Sequence, residues 1–199
     1  MPQQMKAWVN APTIPPSNNC RDFKPMTRNT GPGMLSAISG PAIDIVVPDL
    51  AHEIAAVADV FREYALALGV DLYFQDFNAE LANLPGDYRA PRGVLFTALV
   101  DGQLAGCCAL RPLDAADYPN ACEMKRLYVR PAFRNLGLGR QLVEVTLDSA
   151  RAAGYDCILL DTLSEMEAAR ALYADLGFEE IPPYYHNPIA GAHYLKAKL

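Results

Sequence analysis

The passage that most constrains the fold is residues 127–144, "LYVRPAFRNLGLGRQLVE". A run rich in β-branched and aromatic residues halts at Pro131, whose ring cannot continue a ladder. Gly137 and Gly139 follow. A helical pattern then places Leu138, Leu142, Val145, Ser149 and Ala153 on one face, down to a stop at Gly154. The next segment, "CILLDTL", is apolar on both faces, as a strand in a buried parallel position is. Strand, tight loop, helix and strand make a β-α-β unit, which requires a sheet with helices packed on it.

The flanking segments extend this unit. "AIDIVV" reads as a short strand, and "PDLAHEIAAVADVFREYALALG" as a helix with Asp49 as N-cap. Its apolar stripe is Ile54, Val57, Ala58, Phe61 and Ala65, and Gly69 ends it. "DFNAELANL" reads as a short helix closed by Pro85-Gly86. "GVLFTALV" and "QLAGCCALR" are strands joined by Asp101-Gly102, a strong hairpin signal. "ACEMKRLYVR" is a further strand, "EMEAARALYADLG" a helix, and "FEEI" and "AHYLKAKL" closing strands. The expected fold is α/β: one mixed, mostly antiparallel sheet of about seven strands, flanked by helices.

Residues 1–40 differ. Prolines and glycines interrupt every period, so they read as a Pro-rich tail ahead of one domain at 41–199, with Trp8, Ile14 and Phe23 as anchors. The tail carries four basic residues against one acid, within a net charge of −6. An acidic chain argues against nucleic acid as the main partner. No apolar run approaches the ~20 residues needed to span a bilayer, and the start shows no secretory core. Of the cysteines Cys20, Cys107, Cys108, Cys122 and Cys157, four lie in strand-like runs and none forms C-x-x-C. Buried free thiols in a reducing, cytoplasmic setting are expected, with no metal site.

A helix that opens directly after a strand presents unpaired N–H groups and the positive end of its dipole. Glycines there let a ligand reach the backbone, so the loop reads as a pyrophosphate cradle, with Arg134 and Arg140 adding charge. It is no Walker loop, which needs Gly-Lys-Ser/Thr, and no dinucleotide fingerprint, which needs a third glycine and a later acid. A turn that merely needs flexibility is the plainer alternative.

"VRPAFRNLGLG" resembles motif A of the GNAT family of N-acetyltransferases, Arg/Gln-x-x-Gly-x-Gly/Ala, and "ALYADLGFEEI" resembles the family's second signature. The resemblance runs from about residue 43 to the C-terminus and includes the order of elements. "CEMKRLYVRPAFR", "LDTL" and "IPPYYHNP" are similar to a bacterial and fungal subgroup. It implies acetyl-CoA as co-substrate, held by Leu127, Tyr128, Val129, Arg134, Asn135, Leu136, Gly137, Leu138, Gly139 and Arg140. It also implies a bulge in the "LYV" strand, whose N–H meets the thioester carbonyl, and a splayed following strand that lets pantetheine pair in the gap. Where many members have Asn, seven residues before the tyrosine, this chain has Met166.

Acetylating an amine requires a proton acceptor, because an amine of pKa near ~10.4 is mostly protonated at neutral pH, and a donor for the departing thiolate. By resemblance Tyr173 is that donor; a core tyrosine on the stripe of Ala169, Leu172 and Leu176 is the alternative. Glu123 is the candidate acceptor, eleven residues before Arg134 as in the histone-acetylating branch. Burial beside Leu127 and Val129 is expected to raise its pKa, unless it pairs with Lys125 on the same face. Lys125 or Arg126 could hold an acidic substrate group. Arg111 could bind a carboxylate or end a strand in solvent. Tyr184, Tyr185 and His186 could line an acceptor pocket, the aromatic pair holding an ammonium, and a plain proline-stiffened turn is the alternative.

The expectation is therefore an acetyl-CoA-dependent N-acetyltransferase acting on a primary amine of a small molecule by direct attack. Neither nucleic acid nor membrane is an expected partner, and a homodimer is left open. The rivals are a non-catalytic acyl-CoA-binding module, an enzyme for longer acyl groups, and an acetyltransferase acting on a protein amine.

Overall fold

The computed structural model describes residues 40–70, 72–114 and 117–199 of the chain. The expected tail therefore lies outside the described residues, apart from Gly40, and with it Trp8, Ile14, Cys20 and Phe23. The strands are β1 (Ile43–Val46), β2 (Val94–Val100), β3 (Gln103–Pro112), β4 (Ala121–Val129), β5 (Cys157–Leu163), β6 (Glu179–Ile181) and β7 (Ala192–Lys198). They form one seven-stranded sheet in the order β1-β2-β3-β4-β5-β7-β6, parallel only between β4 and β5. Among the described residues four α-helices accompany it: α1 (Ala51–Leu68), α2 (Phe77–Ala82), α3 (Leu138–Ala152) and α4 (Glu167–Asp175).

The sheet is sandwiched, which explains why "AGCCAL" is apolar on both faces. Phe96, Ala98, Cys108 and Leu110 face α3 and α4 in the larger core, beside Leu138, Leu142, Val143 and Ile158. Leu95, Cys107 and Ala109 alternate to the other face and pack on Val57, Val60 and Phe61 of α1. Leu142 is wholly enclosed, so truncating it to Ala costs about 2–5 kcal/mol. The α3 stripe is rotated from the one expected. Leu142, Val143, Thr146, Leu147 and Ala150 are buried, Val145 and Ser149 are half-buried, and Ala153 is exposed. Thr146 reaches inward because its hydroxyl bonds the Leu142 carbonyl at 2.7 Å. At the start of α1, Leu50 and not Asp49 takes the N-cap position. The Glu53 carboxylate substitutes for a capping side chain, accepting the N–H groups of Asp49 (3.0 Å) and Leu50 (3.1 Å).

Two irregularities of β4 create the site. Along β3, Cys107 pairs with Tyr128 but Ala109 pairs with Lys125, so Cys108 opposes both Arg126 and Leu127. This is a bulge, and Arg126 sits in it at φ +58°. Between β4 and β5 the ladder holds for three pairs, Ala121–Cys157, Cys122–Ile158 and Glu123–Leu159, and then stops. β5 instead follows β7 as far as Leu163–Ala192, while β4 follows β3 as far as Val129–Gly106. The two central strands therefore diverge, leaving a wedge-shaped gap. Among the described residues no helix is long and apolar enough to cross a membrane.

Candidate active site

The glycine loop lies at the open end of that gap. Arg130 to Arg134 make one 3-10 turn, Pro131–Phe133, and Gly137 caps α3 at φ +77°. That angle is strained for any side chain with a Cβ, so Gly137 is required by the turn itself. Gly139 is different: a Cβ there would meet only Leu172 Cδ2 at 3.8 Å, an ordinary contact. The fold leaves Gly139 open on the side facing the groove, where a ligand would approach the first turn of α3.

A groove of about 450 Å³ runs along this loop. Of the ten residues expected to hold acetyl-CoA, Leu127, Tyr128, Val129, Arg134, Asn135, Gly137, Leu138, Gly139 and Arg140 line it, and Leu136 does not. Phe133, Met166, Ala168, Ala169 and Leu172 line it as well. They are helix and turn residues whose apolar spacing reads only as core. The two arginines are not bare charges. Arg134 Nε donates to the Val129 carbonyl at 3.1 Å, and Arg140 is paired with Asp175 and, at 3.8 Å, with Glu144.

Farther in, a small cavity of about 30 Å³ is lined by Lys125, Arg126, Leu127, Asp161, Thr162, Met166 and Tyr173 among others. It shares Leu127 and Met166 with the groove. Tyr173 comes to it from α4, buried and packed on the Phe178 ring at 5.5 Å. Burial pushes its phenol well above the ordinary value, with Cys108, Tyr64 and Asp161 adding to the rise. Tyr173 is thus held protonated, a hydrogen-bond donor at every physiological pH.

Glu123 does not meet the expectation of a raised pKa. It is 1 % exposed, and burial alone would raise it, but the charges of Lys125 and Arg111 outweigh that effect. With the Tyr184 hydroxyl they hold the carboxyl below its ordinary value. Arg111 gives two nitrogens to Oε2, each at 2.8 Å, Tyr184 donates to Oε1 at 2.9 Å, and Lys125 Nζ stands 3.5 Å from Oε1. A carboxylate so satisfied is a poor proton acceptor. Arg111 and Tyr184, read as acceptor-binding residues, are therefore partners of Glu123. Tyr185 accepts from Gln75 at 3.2 Å, and the Lys125 ammonium lies 6.0 Å from its ring centre. Tyr185 thus faces a cation of the protein itself.

Asp161 went unrecognised in the sequence. It projects from β5 into the same cavity as Tyr173 and keeps 17 % of its side chain exposed. Its one sequence signal is a lone charge inside the apolar "CILLDTL". Arg126 is buried against Glu80, bonding Oε1 at 2.9 Å, and against Gln75 Oε1 at 2.9 Å, with the Phe77 ring at 5.1 Å. It ties the bulge to α2 and the turn before it. A further cavity of about 200 Å³, bounded by Gln75, Glu80, Asp87, Tyr88 and Arg111, adjoins the small one at Gln75. The four described cysteines are buried free thiols, and burial pushes Cys108 and Cys122 up to about 12.

Comparison with known proteins agrees with this architecture. An uncharacterised N-acetyltransferase of Schizosaccharomyces pombe is 40 % identical over 139 residues, covering 69 % of this chain and 83 % of that protein. One from Dictyostelium discoideum is 30 % identical over 206 residues, covering 74 % and 95 %. The yncA structure from Salmonella typhimurium, which holds its cofactor acetyl-CoA, matches with a TM-score of 0.58 at 20 % identity, over 79 % of this chain and 94 % of that one. Residues 55–178 match the model of the acetyltransferase (GNAT) family, and with the strand order, the diverging central strands and these relatives, that places the chain in the GNAT family of acetyltransferases.

Proposed function

We propose that the protein moves acetyl from acetyl-CoA to a primary amine of a small molecule by direct attack. The observation that carries this reading is the junction at Leu127 and Met166. There the groove along the glycine loop and the cavity that holds both Asp161 and Tyr173 share their walls. The loop amides, the α3 N-terminus and the open face of Gly139 suit a pyrophosphate. The β4 edge at Leu127–Val129 lacks a ladder partner on the β5 side, which suits an extended pantetheine arm.

Acetyl-CoA supplies a thioester. Around it this chain supplies a proton acceptor and a donor. Asp161 takes the proton of the attacking amine, directly or through water, as the C–N bond forms and the C–S bond breaks. Tyr173, kept protonated by burial, donates to the departing sulfur. Glu123 takes no proton; it holds Arg111 and Tyr184 in place. The space beyond Gln75 is a half-open cavity of about 200 Å³, a size that suits a small acceptor.

The test is thermal unfolding with acetyl-CoA, followed by thiol release across a panel of amines. At a concentration about 100 times Kd the ligand adds roughly 2.7 kcal/mol, a rise of about 5–10 °C for a chain of this size. Tyr173→Phe is expected to keep that rise and to lower kcat by about 10²–10⁴-fold. Absence of the rise refutes the groove assignment. A Tyr173→Phe variant with full kcat refutes its role as donor.

A further inference from the structure

Three basic side chains surround the acceptor side of the gap, and two make short bonds to neighbouring side chains. Arg111 gives two nitrogens at 2.8 Å to Glu123. Arg126 is locked to Glu80 and Gln75. Lys125 is not held in this way. Its side chain is 4 % exposed, yet its ammonium stands 3.5 Å from Glu123 Oε1 and 3.9 Å from Asp161 Oδ1. Ordinary charge-assisted contacts are about 2.7–2.9 Å. Glu123 cannot close the distance cheaply, because Tyr184 already donates to the same oxygen and Arg111 fixes the other. The hydrogen bond of Lys125 to Glu123 is long and the Tyr185 ring centre lies 6.0 Å away, so the contacts that offset its burial are loose.

Asp161 is its counterpart. It lines the same cavity, faces Tyr173, and completes a pair of opposite charges 3.9 Å apart. A ligand that carries an amine and a carboxylate on one carbon matches that pair head to tail. We propose, resting on the reading of this gap as the transfer site, that the acceptor is an α-amino acid. Lys125 takes its α-carboxylate, and Asp161 takes the amine that attacks. Lys125 shifts onto the ligand oxygen because nothing holds it tightly where it is. The amino-acid side chain extends past Gln75 into the larger cavity, whose walls include Arg111 and Asp87. A plain alkylamine would satisfy Asp161 and leave Lys125 as it is, so selectivity for the carboxylate resides in Lys125.

The experiment titrates the full chain, saturated with CoA, with the common L-amino acids, each beside its α-decarboxylated amine, by calorimetry. At least one amino acid is expected to bind ten times or more tightly than its matched amine. In Lys125→Met, which keeps the length and the apolar contacts of the side chain, the two constants converge, and Lys125→Arg restores part of the difference. In turnover the effect of Lys125→Met falls on the KM for the amino acid more than on kcat. Equal binding of every acid and its amine by the natural protein overturns the proposal even if Lys125→Met fails to fold. So does a preference that survives in Lys125→Met. Selective binding of an amino acid without thiol release on adding acetyl-CoA keeps the Lys125 site and sinks the transfer reading instead.

Discussion

Replacing Glu123 by Gln separates a structural carboxylate from a catalytic one. The substitution keeps the shape and removes one charge from a site that is 1 % exposed. It leaves Lys125 buried with Asp161 at 3.9 Å as its remaining anion, and it turns the Arg111 contact from an ion pair into a neutral hydrogen bond. Breaking a buried pair by removing one partner costs about 3–5 kcal/mol. Arg111 keeps 32 % of its side chain in contact with solvent and is partly rehydrated, so the lower end, about 3 kcal/mol, is expected. At roughly 2–4 °C per kcal/mol for a chain of this length, the midpoint falls by about 6–12 °C. The loss depends on pH. The folded pKa of Glu123 lies below its ordinary value, so its stabilisation is complete above the unfolded pKa of about 4.3 and disappears as pH falls through the folded value. Scanning calorimetry at neutral pH and then through the acid range should show the difference between natural protein and variant, wide at neutrality, closing below about pH 4. Amine acetylation should survive with less than a tenfold loss. A variant of unchanged midpoint and abolished activity would refute the reasoning, because the carboxylate would then be the proton acceptor.

Other substitutions test the remaining parts. Asp161→Asn should lower kcat by about 10²-fold or more without weakening acetyl-CoA binding, read by thiol release and thermal shift. Gly139→Ala should leave the unfolding midpoint unchanged or slightly raised, since its Cβ has room within the protein and Ala favours helix by about 1 kcal/mol, while acetyl-CoA affinity falls tenfold or more. Arg126→Met should strand Glu80 against the cavity and destabilise by about 3–5 kcal/mol, and hydrogen exchange should rise first in α2.

The order of elements, the Asp101–Gly102 hairpin and the glycine loop were legible because each rests on local chemistry. Asp101 and Gly102 both take positive φ, as a tight hairpin demands. Apolar alternation along β2 and β3 separates their two faces within a few residues. The α3 stripe was only partly legible, since Thr146 passes for a surface residue until its hydroxyl bonds back to Leu142.

The roles of the two carboxylates could not be read this way. Glu123 and Asp161 each look like a lone acid in an apolar strand. What distinguishes them is contact across long separations. Arg111 faces Glu123 through the β3–β4 register, and Tyr184 reaches it from 61 residues away, while Asp161, with Lys125 and the Tyr185 hydroxyl as partners, keeps 17 % of its side chain exposed where β4 and β5 diverge. A charge's environment is the sum of everything packed against it, and most of those groups are distant in sequence. Local periodicity therefore determined which strands and helices form and where a phosphate cradle lies. Only the tertiary structure, through the bulge at Arg126 and the break in the β4–β5 ladder, decided which acid is sealed in an ion-pair network and which faces the gap.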